Sequence, residues 1–262
     1  MNGSRVILSA HRGDRLKYPE NTLPAFSAAL DFGVDMIETD IRMTKDNELV
    51  IIHDRSALRT TGVDKNIDEM TLDEVKKINA GFSFNPDVHA EIPTVKEFLD
   101  LIKGSNILVN WEIKVYPKDF GEEITYEVTD KLVKLIEEYD MTKYSMINSF
   151  SKKTLEYIKK KYGNKFPLHG QGIHNCPKSN DESETKDYEL FDWCCLWAEK
   201  PKTKPIDYKE NFDYCIKNNV IPCVCIPDTL EDYKKAIDYG CKMFTSNDIY
   251  SADEILKKLG VR

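Results

Sequence analysis

Apolar positions along this chain fall into short runs of strand length, separated by longer amphipathic stretches of helical period. The runs "RVILSA" (5–10), "DMIETDI" (35–41), "ELVIIH" (48–53) and "NILVNWEIK" (106–114) read as strands. So do "YSMINS" (144–149), the weaker "KFPLHG" (165–170), "WCCLWA" (193–198), "VIPCVCI" (220–226) and "KMFTS" (242–246). Between them, helices are predicted over 22–33, 71–78, 94–103, 122–139, 151–163, 207–219, 229–240 and 251–260. Several carry punctuation: Thr or Ser caps at Thr71, Thr94, Ser151 and Thr229, and glycine stops at Gly33, Gly163 and Gly240.

With 48–53 set aside as an excursion joined to its predecessor by "TKDN", eight strands alternate with helices. Such alternation implies parallel strands. Eight repeats within 262 residues point to a (β/α)8 TIM barrel. A doubly wound open sheet is the alternative, but no G-x-G-x-x-G follows the first strand. Residues 54–93 are too long for a simple strand-to-helix loop and read as a small subdomain inserted after the second strand, leaving 1–262 as one domain. Residues 174–191 are polar and charged, a long loop that either shapes substrate choice at the rim or is solvated insertion.

The composition, 41% hydrophobic and 31% charged, supplies a core. A net charge of −8 argues against nucleic-acid partners and against attraction to anionic membranes. No window approaches the roughly 18 apolar residues of a membrane span, and no apolar signal region opens the chain. The seven cysteines, Cys176, Cys194, Cys195, Cys215, Cys223, Cys225 and Cys241, are odd in number and show no C-x-x-C. They read as reduced, buried thiols in a cytoplasmic protein.

Candidate chemistry gathers at strand ends. Residues i and i+2 of a strand share a face, so Glu38 pairs with Asp40 and Glu112 with Lys114, while His11 directly follows the first strand. In a barrel these residues meet at one rim. Three carboxylates in one place repel and are costly to desolvate, so they call for a cation. Oxygen-only ligation favours one hard divalent ion, Mg²⁺ or Ca²⁺. The alternative is solvated acids, each paired with its own base. His53 ends an apolar run and is either a hydrogen-bonded structural residue or a second histidine opposite His11. Two histidines beside a bound phosphate suit acid–base cleavage, and Arg12 and Lys114 are candidates to grip its oxygens. His89, His169 and His174 have no carboxylate cluster and read as structural or surface residues. Trp197 faces the expected rim, as a pocket wall or as core packing.

The same residues carry a family pattern. "AHRGDRLKYPENTLPAF" and "IETDIRMTKDNELVIIHD" resemble the first two motifs of the glycerophosphodiester phosphodiesterases; "LRTTG", "IPTVKEFL", "WEIK" and "NSF" resemble later ones. The resemblance is tight over roughly 1–115 and loose beyond. It implies a TIM-barrel enzyme with one divalent cation on Glu38, Asp40 and Glu112. It implies His11 and His53 as the catalytic pair, and Arg12 and Lys114 as phosphate contacts. The implied reaction converts a small glycerophosphodiester to glycerol 3-phosphate and an alcohol.

Towards the C-terminus the pattern departs: "VCIPD" stands where many members have W-T-V-N, and "TSNDI" where they have T-D-x-P. These changes put the head group in question and are expected not to touch the metal or acid–base groups. Two further readings compete: a phospholipase D-type lyase releasing a cyclic phosphate, and an idle barrel that only binds phosphodiesters. The toxins of the first kind are disulfide-bonded, a framework the cysteines here do not suggest. Retention of both histidines and all three acids argues against the second.

Overall fold

A computed structural model describes residues 5–171, 181, 183, 185–198 and 205–262. Among the described residues nine strands form in chain order: β1 (Ile7–His11), β2 (Met36–Met43), β3 (Leu49–Ile51), β4 (Leu108–Ile113) and β5 (Ser145–Asn148). Then follow β6 (Leu168–Gln171), β7 (Trp193–Trp197), β8 (Ile221–Cys225) and β9 (Met243–Ser246). Their order is β1-β9-β8-β7-β6-β5-β4-β2, and β1 pairs with β2 to close the ring. All eight pairings around the ring are parallel. The fold is therefore the predicted (β/α)8 barrel. β3 lies outside it, antiparallel to β2, which makes 48–53 the expected excursion.

Strand alternation sorts the side chains into two cores. Outward residues such as Val109, Trp111 and Ile113 join the main cluster beneath the helices. Phe26 and Phe98, from the helices Leu23–Phe32 and Val95–Ile102, cover Trp111. Ring centroids lie 4.5 Å apart for Phe26–Phe98 and 5.5 Å for Phe98–Trp111, and the indole N–H donates to Ser145 Oγ. Such aromatic contacts add about 0.5–1.5 kcal/mol per pair beyond area burial. Inside the ring lies a smaller cluster containing Met36, Met146, Met243, Cys195 and Cys223.

Local signals behave as their chemistry requires. Thr71 and Thr94 form reciprocal capping boxes with Glu74 and Glu97, and Ser151 and Thr229 each accept an N–H from the third helical residue. Gly33 ends its helix in the left-handed conformation. The helix expected over 71–78 is a single turn, Leu72–Val75. Its apolar residues pack instead into a satellite core with Val50, Ile67 and Ile92, under the 54–93 segment. Short helices at Leu58–Thr61, Pro117–Phe120 and Asp187–Leu190 were not expected; four-residue helices carry too little periodicity to show in a sequence.

Candidate active site

After β1 the chain turns sharply at Arg12 and Gly13, both with positive φ (63° and 80°). A Cβ at Gly13 would sit 2.7 Å from the Ala25 carbonyl carbon, so only glycine lets this turn lie against the first helix. The turn is fastened by Arg12 N–H, which donates to the Glu38 carbonyl and lies 3.2 Å from Glu38 Oε2. The P-E-N-T segment then supplies two braces. Asn21 Nδ2 donates to Asp40 Oδ2 (2.8 Å), and Glu20 accepts from Arg12, Arg15 and Arg59. Burial works against the Glu20 charge, yet Arg59 and then Arg12 and Arg15 bring its pKa down to about 2.

Barrel register sets Glu38 beside His11, Asp40 beside Glu112 and Glu112 beside Asn148. Glu38, Asp40 and Glu112 are buried, and each offers an oxygen within 4.8 Å of the others'. Among the described residues Glu38 Oε1 has no hydrogen-bond partner, and Asp40 Oδ1 has only the Lys114 ion pair. Burial first, then repulsion from Asp40 and Glu112, pushes the Glu38 pKa well above the usual range. Asp40 goes the other way. Burial opposes its charge, but the Lys114 and Arg12 cations hold its pKa well below the usual range. Lys114 Nζ lies 2.5 Å from Glu112 Oε1 and 3.3 Å from Asp40 Oδ1. Three buried carboxylates, one with an oxygen that has no partner among the described residues, and an all-oxygen donor set fit a hard divalent ion. The solvated, separately paired acids of the alternative reading would be exposed; these are not.

Two histidines face the same mouth. His11 is half-buried, and burial, then the Arg12 charge, lowers its pKa to about 3. Its Nδ1 lies 2.6 Å from Asn247 Oδ1, and its Nε2 3.8 Å from Glu38 Oε2. His53 follows β3; its Nδ1 lies 2.6 Å from Asp54 Oδ1, and its carbonyl accepts from Arg42. A cavity of about 410 Å³ joins both histidines to Arg12, Lys114, Phe150 and Trp197. The structure thus brings together all seven predicted site residues.

Asn247 corrects one expectation. It lies within "TSNDI", which was expected not to touch the acid–base groups, yet it holds His11. Closure of the barrel by β9 against β1 puts the end of β9 next to the end of β1. Asp54 and Glu20 are further site residues that strand alternation alone does not reveal. Their signal was present in the motifs that contain them, "HD" and P-E-N-T. Trp197 does line the mouth, with its indole N–H donating to Gln171. His89 is exposed, and His169 is buried at 1% exposure. The six described cysteines are buried and in no disulfide. His174, Cys176 and most of the 174–191 loop's first half lie outside the described residues. The described part of that loop packs on the helix Lys152–Tyr162, where Ser183 and Thr185 bond Glu156, rather than against the cavity. Among the described residues, no helix is long and apolar enough to cross a membrane.

A closed barrel with an acidic cluster and paired histidines at the C-terminal mouth of its strands is the arrangement of a TIM-barrel enzyme site. The profile of the "Glycerophosphoryl diester phosphodiesterase family" matches residues 11–195, and the chain belongs to that family. A glycerophosphodiester phosphodiesterase of Caldanaerobacter subterraneus subsp. tengcongensis is 40% identical over 157 residues, 60% of this chain and 63% of that protein. One from Bacillus subtilis is 31% identical over 166 residues, 59% of this chain and 56% of that protein. Both matches span less than two thirds of the relative's length. Among solved structures, an Oleispira antarctica phosphodiesterase in complex with the product sn-glycerol-3-phosphate superposes with a TM-score of 0.78 at 18% identity, covering 97% of each chain. The glycerophosphodiester phosphodiesterase of Thermotoga maritima gives 0.71 at 21% identity, covering 95% of this chain and 98% of that one.

Proposed function

We propose that this chain is a metal-dependent phosphodiesterase that hydrolyses small glycerophosphodiesters to glycerol 3-phosphate and an alcohol. The observation that carries the reading is convergence: two histidines, two cations and Glu112 line one 410 Å³ cavity, and Glu38 and Asp40 offer oxygens within 4.8 Å of that of Glu112. Family membership and the product bound to the Oleispira antarctica relative support the same substrate class.

Glu38, Asp40 and Glu112 would hold one Mg²⁺ or Ca²⁺. When bound, the ion would neutralise charge that develops on the phosphoryl oxygens. Arg12 and Lys114 grip those oxygens, Arg as a fork and Lys as a point charge. The glycerol 2-hydroxyl of the substrate attacks phosphorus and gives its proton to one histidine. The other histidine protonates the departing alcohol as its P–O bond breaks. Water then adds to the cyclic phosphate, with the proton transfers reversed, and opens it to glycerol 3-phosphate. Asn247 and Asp54 position the two rings. The products and substrate suit a protein working in the cytoplasm on water-soluble lipid breakdown products.

Glycerophosphocholine, glycerophosphoethanolamine, glycerophosphoglycerol and lysophosphatidylcholine, each assayed with Mg²⁺, Ca²⁺ or chelator, test this. Turnover of the water-soluble diesters, lost with chelator, is expected. His11→Ala and His53→Ala are each expected to lower kcat by roughly 10²–10⁴-fold with the fold intact. No turnover of any diester would sink the enzyme reading, and activity surviving chelation would sink the metal. Cyclic phosphate as the end product would favour a lyase.

A further inference from the structure

Beneath the carboxylate cluster, three adjacent strands present a second donor set that the reaction above does not use. His169 on β6, Cys195 on β7 and Cys223 on β8 all point into the barrel. Cys195 and Cys223 are direct register partners, and Gln171, two residues past His169, pairs with Cys195. One ligand atom from each of the three lies within 4.8 Å of the others, and His169 Nε2 is 3.2 Å from Cys223 Sγ.

We infer that His169, Cys195 and Cys223 form a buried binding site for a borderline-soft transition-metal ion of the Zn²⁺ class, separate from the hard-ion carboxylate site. Ligand chemistry separates the two: thiolate and imidazole select zinc-like ions, carboxylates select Mg²⁺ and Ca²⁺. Two cysteines and one histidine with an open fourth position make a familiar zinc set. A cavity of about 20 Å³, lined by His169, Asn110, Asn148, Glu38 and Glu112, lies on the mouth side of the imidazole and has room for one water between the two donor sets. Asn148 lines this cavity, and its buried Oδ1 has no hydrogen-bond partner among the described residues, so it is placed to accept from such a water. Below, Met36, Met146 and Met243 exclude solvent.

The far side of the imidazole is also provided for. Asn110 Nδ2 lies 3.2 Å from His169 Nδ1, while Asn110 Oδ1 is buried without a partner among the described residues. The hydrogen-bond network decides which amide atom faces the ring. Turning this amide over lets Oδ1 accept from Nδ1–H, which leaves the Nε2 lone pair free for the ion. That is the usual support behind a ligating histidine. Burial keeps the metal-free Cys223 thiol protonated, with its pKa pushed up to about 12. Binding therefore exchanges protons: one M²⁺ enters as two thiols become thiolates and two protons leave to solvent, with no change of oxidation state.

Co²⁺ titration of the reduced, metal-stripped full chain tests the site, because thiolate ligation gives intense near-ultraviolet charge-transfer absorption and oxygen ligation does not. The expected result is a band that saturates at a single equivalent. It should vanish in Cys195→Ser and Cys223→Ser, judged folded by circular dichroism, and persist in Asp40→Asn, which removes a hard-ion ligand. Zinc-edge X-ray absorption of the unmutated protein decides the matter if the serine variants misfold. A shell of two sulfurs at roughly 2.3 Å is expected. A wild-type spectrum without the band, a band unchanged in both serine variants, or an oxygen- and nitrogen-only shell would overturn the site.

Discussion

Glu38→Gln is the substitution whose sign depends most directly on the acidic cluster being built for an ion. In chelator the wild-type barrel holds three carboxylates whose oxygens lie within 4.8 Å of each other, and Glu38 Oε1 has no hydrogen-bond partner among the described residues. Burial, then Asp40 and Glu112, raises the Glu38 pKa well above its ordinary value. A raised folded-state pKa stabilises the fold fully below the ordinary value near 4.5, and that contribution is lost as pH rises through the folded value. Glutamine does not titrate, and its amide can donate to a neighbouring carboxylate. The variant should therefore gain on the wild type as pH rises. An unsatisfied buried polar atom costs about 1–3 kcal/mol. At about 2–4 °C per kcal/mol for a domain near this size, Glu38→Gln should melt roughly 2–12 °C above wild type in chelator at about pH 8. The gap should narrow towards about pH 5. Saturating Mg²⁺ or Ca²⁺ should reverse the order. An ion at about 100 times its Kd adds about 2.7 kcal/mol to the wild type, and much less to a variant that has lost a ligand. Differential scanning fluorimetry over this grid reads all of it. A variant that melts below wild type in chelator at about pH 8, or gains as much as wild type from the ion, would refute the reasoning.

Asn247→Ala removes the acceptor on His11 Nδ1. Losing one orienting hydrogen bond of about 1–3 kcal/mol should lower kcat roughly 5- to 150-fold with KM little changed, and Asn247→Asp should restore much of it. A pure KM effect, or no rescue by Asp, would make Asn247 merely structural. Glu20→Gln uncouples three arginines. The Glu20 pKa is down at about 2 against an ordinary 4.5, a gap worth roughly 3 kcal/mol. A depressed carboxylate stabilises above its unfolded pKa, so urea melts should show the variant weaker by that amount at neutral pH. The deficit should fade as pH drops from 4.5 towards about 2. A deficit that stays flat with pH would mean Glu20 acts through packing alone.

The legible part of this protein is the part governed by short periods. Alternation of two along a strand was enough to align Glu38 with Asp40 and Glu112 with Lys114, and alternation of strands with helices was enough to close a ring. His53 needed more. Its apolar run belongs to β3, outside the barrel, and only the antiparallel pairing of β3 with β2 returns it to the mouth. Asn247 and His11 are 236 positions apart, and their contact exists only because the last barrel strand pairs with the first. A local reading of "TSNDI" sees a loop near the rim; the closed barrel makes it the support of a histidine. The interior donor set was hidden for a related reason. His169 was read for carboxylate neighbours, because acids announce a hard-ion site. Its neighbours on β7 and β8 are thiols, which a sequence shows only as buried apolar positions. Residues that act through ring closure belong to no local motif, so in a barrel the last strand has to be read against the first.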